Sequence, residues 1–396
     1  MAELKSGRLV SLDAYRGLIM LTLAANGFGL LAYSKARLEK EPDSALWQTV
    51  KFHTDHPKWV SNVGLDSSNP SVRRFSAIGV SYWDLIQPSF MFMVGVAMPF
   101  SYSKRLSRGD SYWKMAGHAF VRSIILVLLG VFLSSAWAPD KKTNWEFVNV
   151  LSQIGLGYFF VFLLMGRPWP VQLLVGALII AGYWYWFVHT PVPGADAMQD
   201  FAAHFGYNQN AAAYLDHKWL SKLHDEPYVN KGGYATLNFV PSIATMLLGL
   251  MSGEMLQGDR KNGSKLLILF GGGIVLMALA LAAEPYCPIV KRIWTPSWVL
   301  FSGAYVLWIL GAFYMIIDVV GFKWWAFLLV VLGVNSILLY LMGQLMKGWT
   351  AQQLKIHFGQ TIFDGPSGPI LEASAVMGVF WLICFWLYRQ RLFVRI

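Results

Sequence analysis

His53-Thr-Asp55-His56-Pro-Lys-Trp59 is the strongest cluster of titratable side chains in the sequence, and it precedes Asp84 in Tyr82-Trp-Asp84-Leu-Ile-Gln87-Pro88. An imidazole near neutral pH can take a proton from an attacking amine or hydroxyl, which makes His56 a candidate general base. Asp84 could orient a histidine, hold an amine substrate, or simply cap the helix that follows it. His53 and His56 at spacing three, with Asp55 beside them, could instead begin a metal site. A third credible ligand is missing and no Cys/His zinc spacing occurs, so no metal is expected. Two histidines in a wet loop can also be ordinary surface residues.

A second set opens the first apolar run. Arg8-Leu-Val-Ser-Leu-Asp13-Ala-Tyr-Arg16-Gly17 leads through leucines and alanines to Asn26-Gly27-Phe-Gly29. A charge at the centre of a membrane helix costs roughly 2.5–3.5 kcal/mol on insertion scales, so charges in such a segment tend to serve a purpose. Asp13 and Arg16 share a helical face at i, i+3 and can pair, although an arginine near a helix end also snorkels to the interface. Asn26 lies two to three turns deeper at about 1.5 Å per residue. A buried amide needs a partner; helix–helix contact would supply one, and a catalytic hydrogen-bond donor is the other reading. A third set, Lys104, Arg105, Arg108 and Lys114 followed by His118 and Arg122, could hold phosphates through charge-assisted hydrogen bonds. Ordinary basic loops on the inner side of a membrane would look the same. No phosphate-binding glycine loop and no serine-nucleophile elbow is found, which leaves ATP-driven chemistry unsupported.

The elements that must position these residues are membrane helices. Of 396 residues, 56% are hydrophobic and 14% charged, with 18 Trp and 26 Phe; a soluble domain would carry nearer a quarter charged residues. Apolar runs long enough to span, about 20 residues each, predict an all-α, polytopic transmembrane bundle of about ten spans. They fall near 14–33, 82–103, 116–138, 147–165, 171–189, 237–256, 266–284, 297–318, 325–345 and 371–389. Basic residues are densest on Lys104–Lys114, Gln257–Lys265 and the final Arg389–Arg395 stretch, which places both termini in the cytoplasm. The polar start and the lack of a small-residue cleavage site predict that the first run is kept as a span. The whole chain, 1–396, reads as a single transmembrane domain with long outer loops near 34–81, 190–236 and 347–370, whose aromatic and polar content suits a carbohydrate or merely caps the bundle. The net charge of +10 fits an anionic membrane leaflet rather than nucleic acid. Cys287 and Cys384 lie far apart, and no disulfide is expected between them.

These blocks resemble the heparan-α-glucosaminide N-acetyltransferase family of transmembrane acyltransferases. The resemblance begins with Leu12-Asp13, Arg16-Gly17 and Asn26. It continues through Trp83-Asp84-Leu-Ile-Gln-Pro88 to Gly95, Thr236-Leu-Asn238-Phe-Val-Pro241-Ser242 to Gly249, Trp294-Thr-Pro-Ser297 and Gly333-Val-Asn335-Ser336. It implies that acetyl-CoA, as co-substrate, is presented from the cytosol to an amino sugar or glycan acceptor on the far side, with membrane lipid around the bundle and a homodimer allowed. His56-Pro-Lys-Trp59 fits the family's active-histidine context, and Asn26 its active-centre asparagine. Two features depart from the animal members: Val60–Ser81 separates His56 from Asp84, and no large lumenal domain precedes the first helix. The second feature and the compact size point to a bacterial inner membrane.

The resemblance implies catalytic roles for His56, Asn26 and Asp84. Asp13, Arg16, Arg105, His118 and Arg122 would bind the CoA donor, and His53, Trp59 and Asn238 would contact the acceptor. His56 would act as base, assisted by Asp84, while Asn26 donates to the developing oxyanion. Direct transfer in a ternary complex suffices, with an acetyl-histidine at His56 as the other route. A transporter or flippase for a polar lipid or sugar is the competing reading of the same intramembrane polar residues, although the two-fold repeat of interrupted helices found in many transporters is absent.

Overall fold

The computed structural model describes residues 9–56, 81–136, 138, 141–193 and 204–394. Trp59 lies outside them. In hydrocarbon the backbone must satisfy its own hydrogen bonds, which leaves helices as the available form for these apolar runs. In chain order the described helices are α1 (Val10–Ala24), α2 (Leu30–Lys40), α3 (Ala45–Thr54), α4 (Tyr82–Leu106), α5 (Tyr112–Ser135), α6 (Val150–Leu164), α7 (Trp169–His189), α8 (Ala211–Leu220), α9 (Phe239–Gln257), α10 (Asn262–Ala283), α11 (Pro296–Phe313), α12 (Ala326–Gly333), α13 (Ser336–Leu345), α14 (Lys347–Phe358) and α15 (Gly368–Arg389). The strands among the described residues are one small antiparallel pair, Phe205–Gly206 with Gln209–Asn210.

Among the described residues, seven helices are long and apolar enough to cross a membrane, and up to nine spans result if each of two bent pairs counts as one. This is an all-helical membrane protein. All ten expected runs return as helix, but not all as unbroken spans. The run at 14–33 is divided between α1 and α2, which are bent by 48°, and that at 325–345 between α12 and α13, bent by 78°. The run at 147–165 becomes the 15-residue α6, short of the about 20 residues that cross unaided.

Local chemistry explains both breaks. Asn26, Gly27, Phe28 and Gly29 all take positive φ, from 49° to 68°, a region that glycine enters freely and asparagine tolerates. A side chain at Gly29 would also collide with the Pro369 carbonyl at the start of α15. At the second break, Asn335 is fully buried and its amide clasps the end of the described chain. Its Nδ2 donates to the Leu392 carbonyl at 3.2 Å, and its Oδ1 accepts the Val394 N–H at 2.9 Å. Asp318, on the π-helical turn Tyr314–Val319 after α11, accepts the Val10 and Ser11 N–H groups and so caps α1.

The loops expected at 34–81, 190–236 and 347–370 contain helices. α2 and α3 pack against each other in the first, α8 lies in the second and α14 in the third. Asp216 of α8 is buried and accepts the Thr236 N–H at 2.7 Å, tying this cap to the start of α9. Burial pushes its carboxyl up to about 6.

Two outcomes follow from this packing. α1 crosses α12 so closely that a Cβ at Gly17 would strike the Leu329 backbone, whereas Gly117 of α5 faces open space. Gly17→Ala should lower the thermal unfolding temperature in detergent, at an overpacking cost of about 1–3 kcal/mol, while Gly117→Ala should leave it unchanged or raise it, since alanine is favoured over glycine in a helix by up to about 1 kcal/mol. For Asp216, a folded pKa raised above 3.8 means that stability is greatest with the group protonated and is lost as pH rises through about 6. Asp216→Asn should therefore unfold at a higher temperature than the parent at pH 7, by up to about 3 kcal/mol, and this lead should shrink at pH 5. A lead independent of pH would rule the assignment out.

Candidate active site

α4 carries polar chemistry at both ends. Its N-terminus is prepared by Ser81, whose Oγ accepts the Asp84 N–H at 3.1 Å. His53 Nδ1 accepts the neighbouring Tyr82 N–H at 3.3 Å. These groups satisfy two of the donors that every helix start leaves free. His53, expected to touch the acceptor, is thus placed as a backbone cap in this structure.

The Asp84 side chain is buried and its Oδ1 lies 2.6 Å from His56 Nδ1. His56 is held from its own backbone as well, its N–H donating to Asp55 Oδ1 at 2.8 Å, while Lys35 stands 3.9 Å from the other Asp55 oxygen. The imidazole is about a third exposed, so one ring nitrogen faces a buried carboxylate while the ring keeps an open side. With Nδ1–H donated to Asp84, Nε2 carries the lone pair. Carboxylate–imidazole pairs of this type prepare a proton acceptor.

A third residue completes the cluster. Lys291 Nζ donates to the same Asp84 oxygen at 3.0 Å, lies 3.5 Å from His56 Nδ1, and is 8% exposed. Sequence reasoning missed it. The available signal was a Lys291-Arg292 pair inside Cys287-Pro-Ile-Val-Lys-Arg-Ile-Trp294, in a connection assigned to the outer side, where basic pairs run against the topology bias.

Asn26 sits at the α1–α2 break with its side chain exposed, rather than wedged between helices. The adjoining Gly27 approaches Trp83 and Thr54, so the turn lies against the segments that carry Asp84 and His56. Asn238 is buried, and its Nδ2 donates to the Arg292 carbonyl at 2.7 Å. It therefore supports the connection bearing Lys291.

The opposite end of α4 opens into a cavity of about 570 Å³. Asp13, Arg16, Arg105, His118 and Arg122 all line it, together with Lys104 and Arg108. Asp13 and Arg16 approach to 3.8 Å. Arg122 lies over the Tyr158 ring at 4.8 Å, and His118 Nδ1 is 3.4 Å from the Tyr102 hydroxyl. At the rim, Asp110 receives Lys114 at 2.5 Å and Arg105 at 3.6 Å, and the Lys114 hydrogen bond leads in holding its carboxyl below the usual range. Leu9 and Val394 line the same cavity, which puts both described ends of the chain on this face.

Along α4 the lining runs from Arg108 just past the helix to Phe90, a length of about 27 Å at about 1.5 Å per residue. The outer part is cationic. The inner part is formed by Phe90, Met93, Val94, Leu151 and Ile154. Six further residues along α4, about 9 Å, lead from Phe90 to Asp84. Such a shape accommodates a long ligand with an anionic head and a slender apolar arm. Among the described residues no three His, Cys, Asp or Glu side chains converge as they would on a metal ion.

No protein-family model matches the chain. It is similar to the heparan-alpha-glucosaminide N-acetyltransferase of Homo sapiens, at 26% identity over 373 residues, covering 80% of this chain and 55% of the human protein. The enzyme of the same name from Mus musculus is 24% identical over 372 residues, with the same coverage. The chain spans about half the length of these curated relatives. The likeness extends over most of the helical bundle and supports a distant relation to these acetyltransferases.

Proposed function

We propose that the protein is a transmembrane acyltransferase that moves an acetyl group from cytosolic acetyl-CoA to an amine or hydroxyl of an extracytoplasmic amino sugar or glycan. The membrane would be the inner membrane of a bacterial cell, with both termini and the basic rim of the cavity in the cytoplasm and the whole chain acting as one domain. The observation that carries this reading is the disposition along α4, with a long cavity, cationic at its mouth, whose inner end stops about 9 Å short of a carboxylate–imidazole pair.

Acetyl-CoA fits what lines the cavity. Lys104, Arg105 and Arg108 at the rim suit its phosphates, Arg16 and Arg122 stand further in, and the apolar inner wall suits the pantetheine arm. His56 Nε2 accepts the proton of the incoming amine or hydroxyl as its nitrogen or oxygen bonds to the thioester carbonyl carbon. Asn26 donates to the oxygen that becomes negative. The C–S bond then breaks, and His56 returns the proton to the departing thiolate. Acetyl-CoA and the acceptor become acetylated acceptor and free CoA, with the histidine restored. Asp84 holds the imidazole throughout.

Purified protein in nanodiscs, given radiolabelled acetyl-CoA and a panel of amino sugars, should release CoA in an acceptor-dependent manner. Uptake of sugar into liposomes without thioester loss would overturn the transferase reading in favour of transport. Within the enzyme, His56→Ala should fold and lose transfer to the external acceptor. Asn26→Ala should lower kcat by about 10²–10³-fold, as loss of an oxyanion donor typically does, with little change in the KM for acetyl-CoA. Arg122→Gln should show the opposite division, a raised donor KM at nearly constant kcat.

A further inference from the structure

The transfer outlined above makes no use of Lys291, although a buried ammonium is costly unless paired. It shares Asp84 Oδ1 with His56, at 3.0 Å from Nζ against 2.6 Å from Nδ1. Both groups can donate to that one oxygen only when Nδ1 carries its hydrogen, and the buried ammonium is paired as an ion only while the carboxyl is ionised. The alternative imidazole tautomer would turn its lone pair inward at Nδ1 and present an N–H to the open side, where a base is needed.

The lysine is mounted rigidly. It begins a turn in which the Trp294 N–H donates to the Lys291 carbonyl at 2.9 Å. Trp294 is 1% exposed at φ 48°, with its indole N–H on Thr245 Oγ1 at 3.3 Å. A bulky residue in the left-handed region persists only where its surroundings over-determine it, and such residues cluster at functional sites. Each intervening residue is fixed too. The Arg292 carbonyl receives Asn238 Nδ2 at 2.7 Å, its guanidinium donates to the Gly232 carbonyl at 3.1 Å, and the Ile293 carbonyl receives the Tyr183 hydroxyl at 3.3 Å.

We infer that Lys291 is a positioning residue of the active site, acting through Asp84 to keep His56 in the Nδ1–H tautomer with Nε2 free as proton acceptor. The inference rests on the acyl-transfer reading for its consequence, but not for its geometry. Two measurements separate them. In ¹⁵N-histidine-labelled full-length protein, the His56 resonances, identified by their loss in His56→Gln, should show the Nδ1–H tautomer. Lys291→Met should shift them to the other tautomer or a mixture, and Lys291→Arg should retain the parent pattern. Unchanged His56 resonances in Lys291→Met would overturn the proposal, whatever reaction the protein performs.

In the transfer assay, Lys291→Met should lower kcat about a hundredfold with KM for acetyl-CoA within twofold, and Lys291→Arg should recover at least a tenth of the parent rate. Because Lys291 acts through Asp84, the double variant Lys291→Met/Asp84→Asn should be no slower than Asp84→Asn alone. Losses that multiply would also overturn the proposal. If Lys291→Met fails to fold, Lys291→Gln takes its place in both measurements, since it keeps a donor without the charge. A parent protein that transfers no acetyl group while its resonances respond as stated would sink the function and leave the positioning role standing.

Discussion

A carboxylate buried at the end of a membrane helix must be neutralised where it stands, and the ion pair between Asp84 and Lys291 meets that requirement. Removing two charges from water costs several kcal/mol per ion, so such a pair survives only with good geometry and further hydrogen bonds. Here the additional bond comes from His56, and the demands of the pair radiate outward. The lysine needs a rigid turn, which needs Asn238 and Tyr183 beneath it. The aspartate needs a helix start at its own position, which Ser81 and His53 provide. Residues spread over most of the chain therefore serve one carboxylate.

The same logic explains why the first helix is broken. Irregular backbone at membrane depth is tolerated where it is buried in protein or lines a cavity. The left-handed turn at Asn26–Gly29 lies against Trp83 and Thr54 and is backed by the start of α15. An uninterrupted helix would have spent Asn26's position on one more lipid- or helix-facing side chain. The break instead leaves an exposed amide beside the segments carrying His56 and Asp84. Near the other face, Asn335 breaks α12 from α13 and pins residues 392–394 at the wall of the cavity.

Much of this was legible in the sequence, and what was missed shares a cause. Helix positions follow from apolar runs of spanning length, because hydropathy averages over about 20 residues. That averaging hides Asn26-Gly-Phe-Gly29 and Asn335, single polar or flexible residues inside windows that remain apolar. The basic residues at 104–122 were readable as a group because α4 and α5 are consecutive and their facing ends must be close. His56 and Asp84 were readable together because one precedes the helix that the other begins. Lys291 is 235 positions from His56, and only the folded bundle brings it there. Local pattern shows which residues are chemically unusual. It does not show which of them meet across a fold.

The length of α4 links the two ends of the molecule. If the cationic rim and the imidazole were on one face, a shallow pocket would suffice and the basic residues would need no more explanation than topology. Instead they are separated by most of a membrane helix, and the space between is largely hollow, lined by charge first and then by apolar side chains. A ligand confined to the rim would not need the inner cavity; one that acted only at His56 would not need the rim. A donor long enough to be held at one end and to react at the other uses both. The remaining 9 Å or so between Phe90 and Asp84 is closed by packed side chains, among them Tyr15, whose hydroxyl donates to Ser89 at 2.9 Å. This contact joins α1 to α4 just below the ion pair. Under the proposed transfer, a thioester reaching His56 would have to part or skirt the two helices that carry Asn26 and Asp84, and entry of the donor would then be coupled to the arrangement of the groups proposed to act on it.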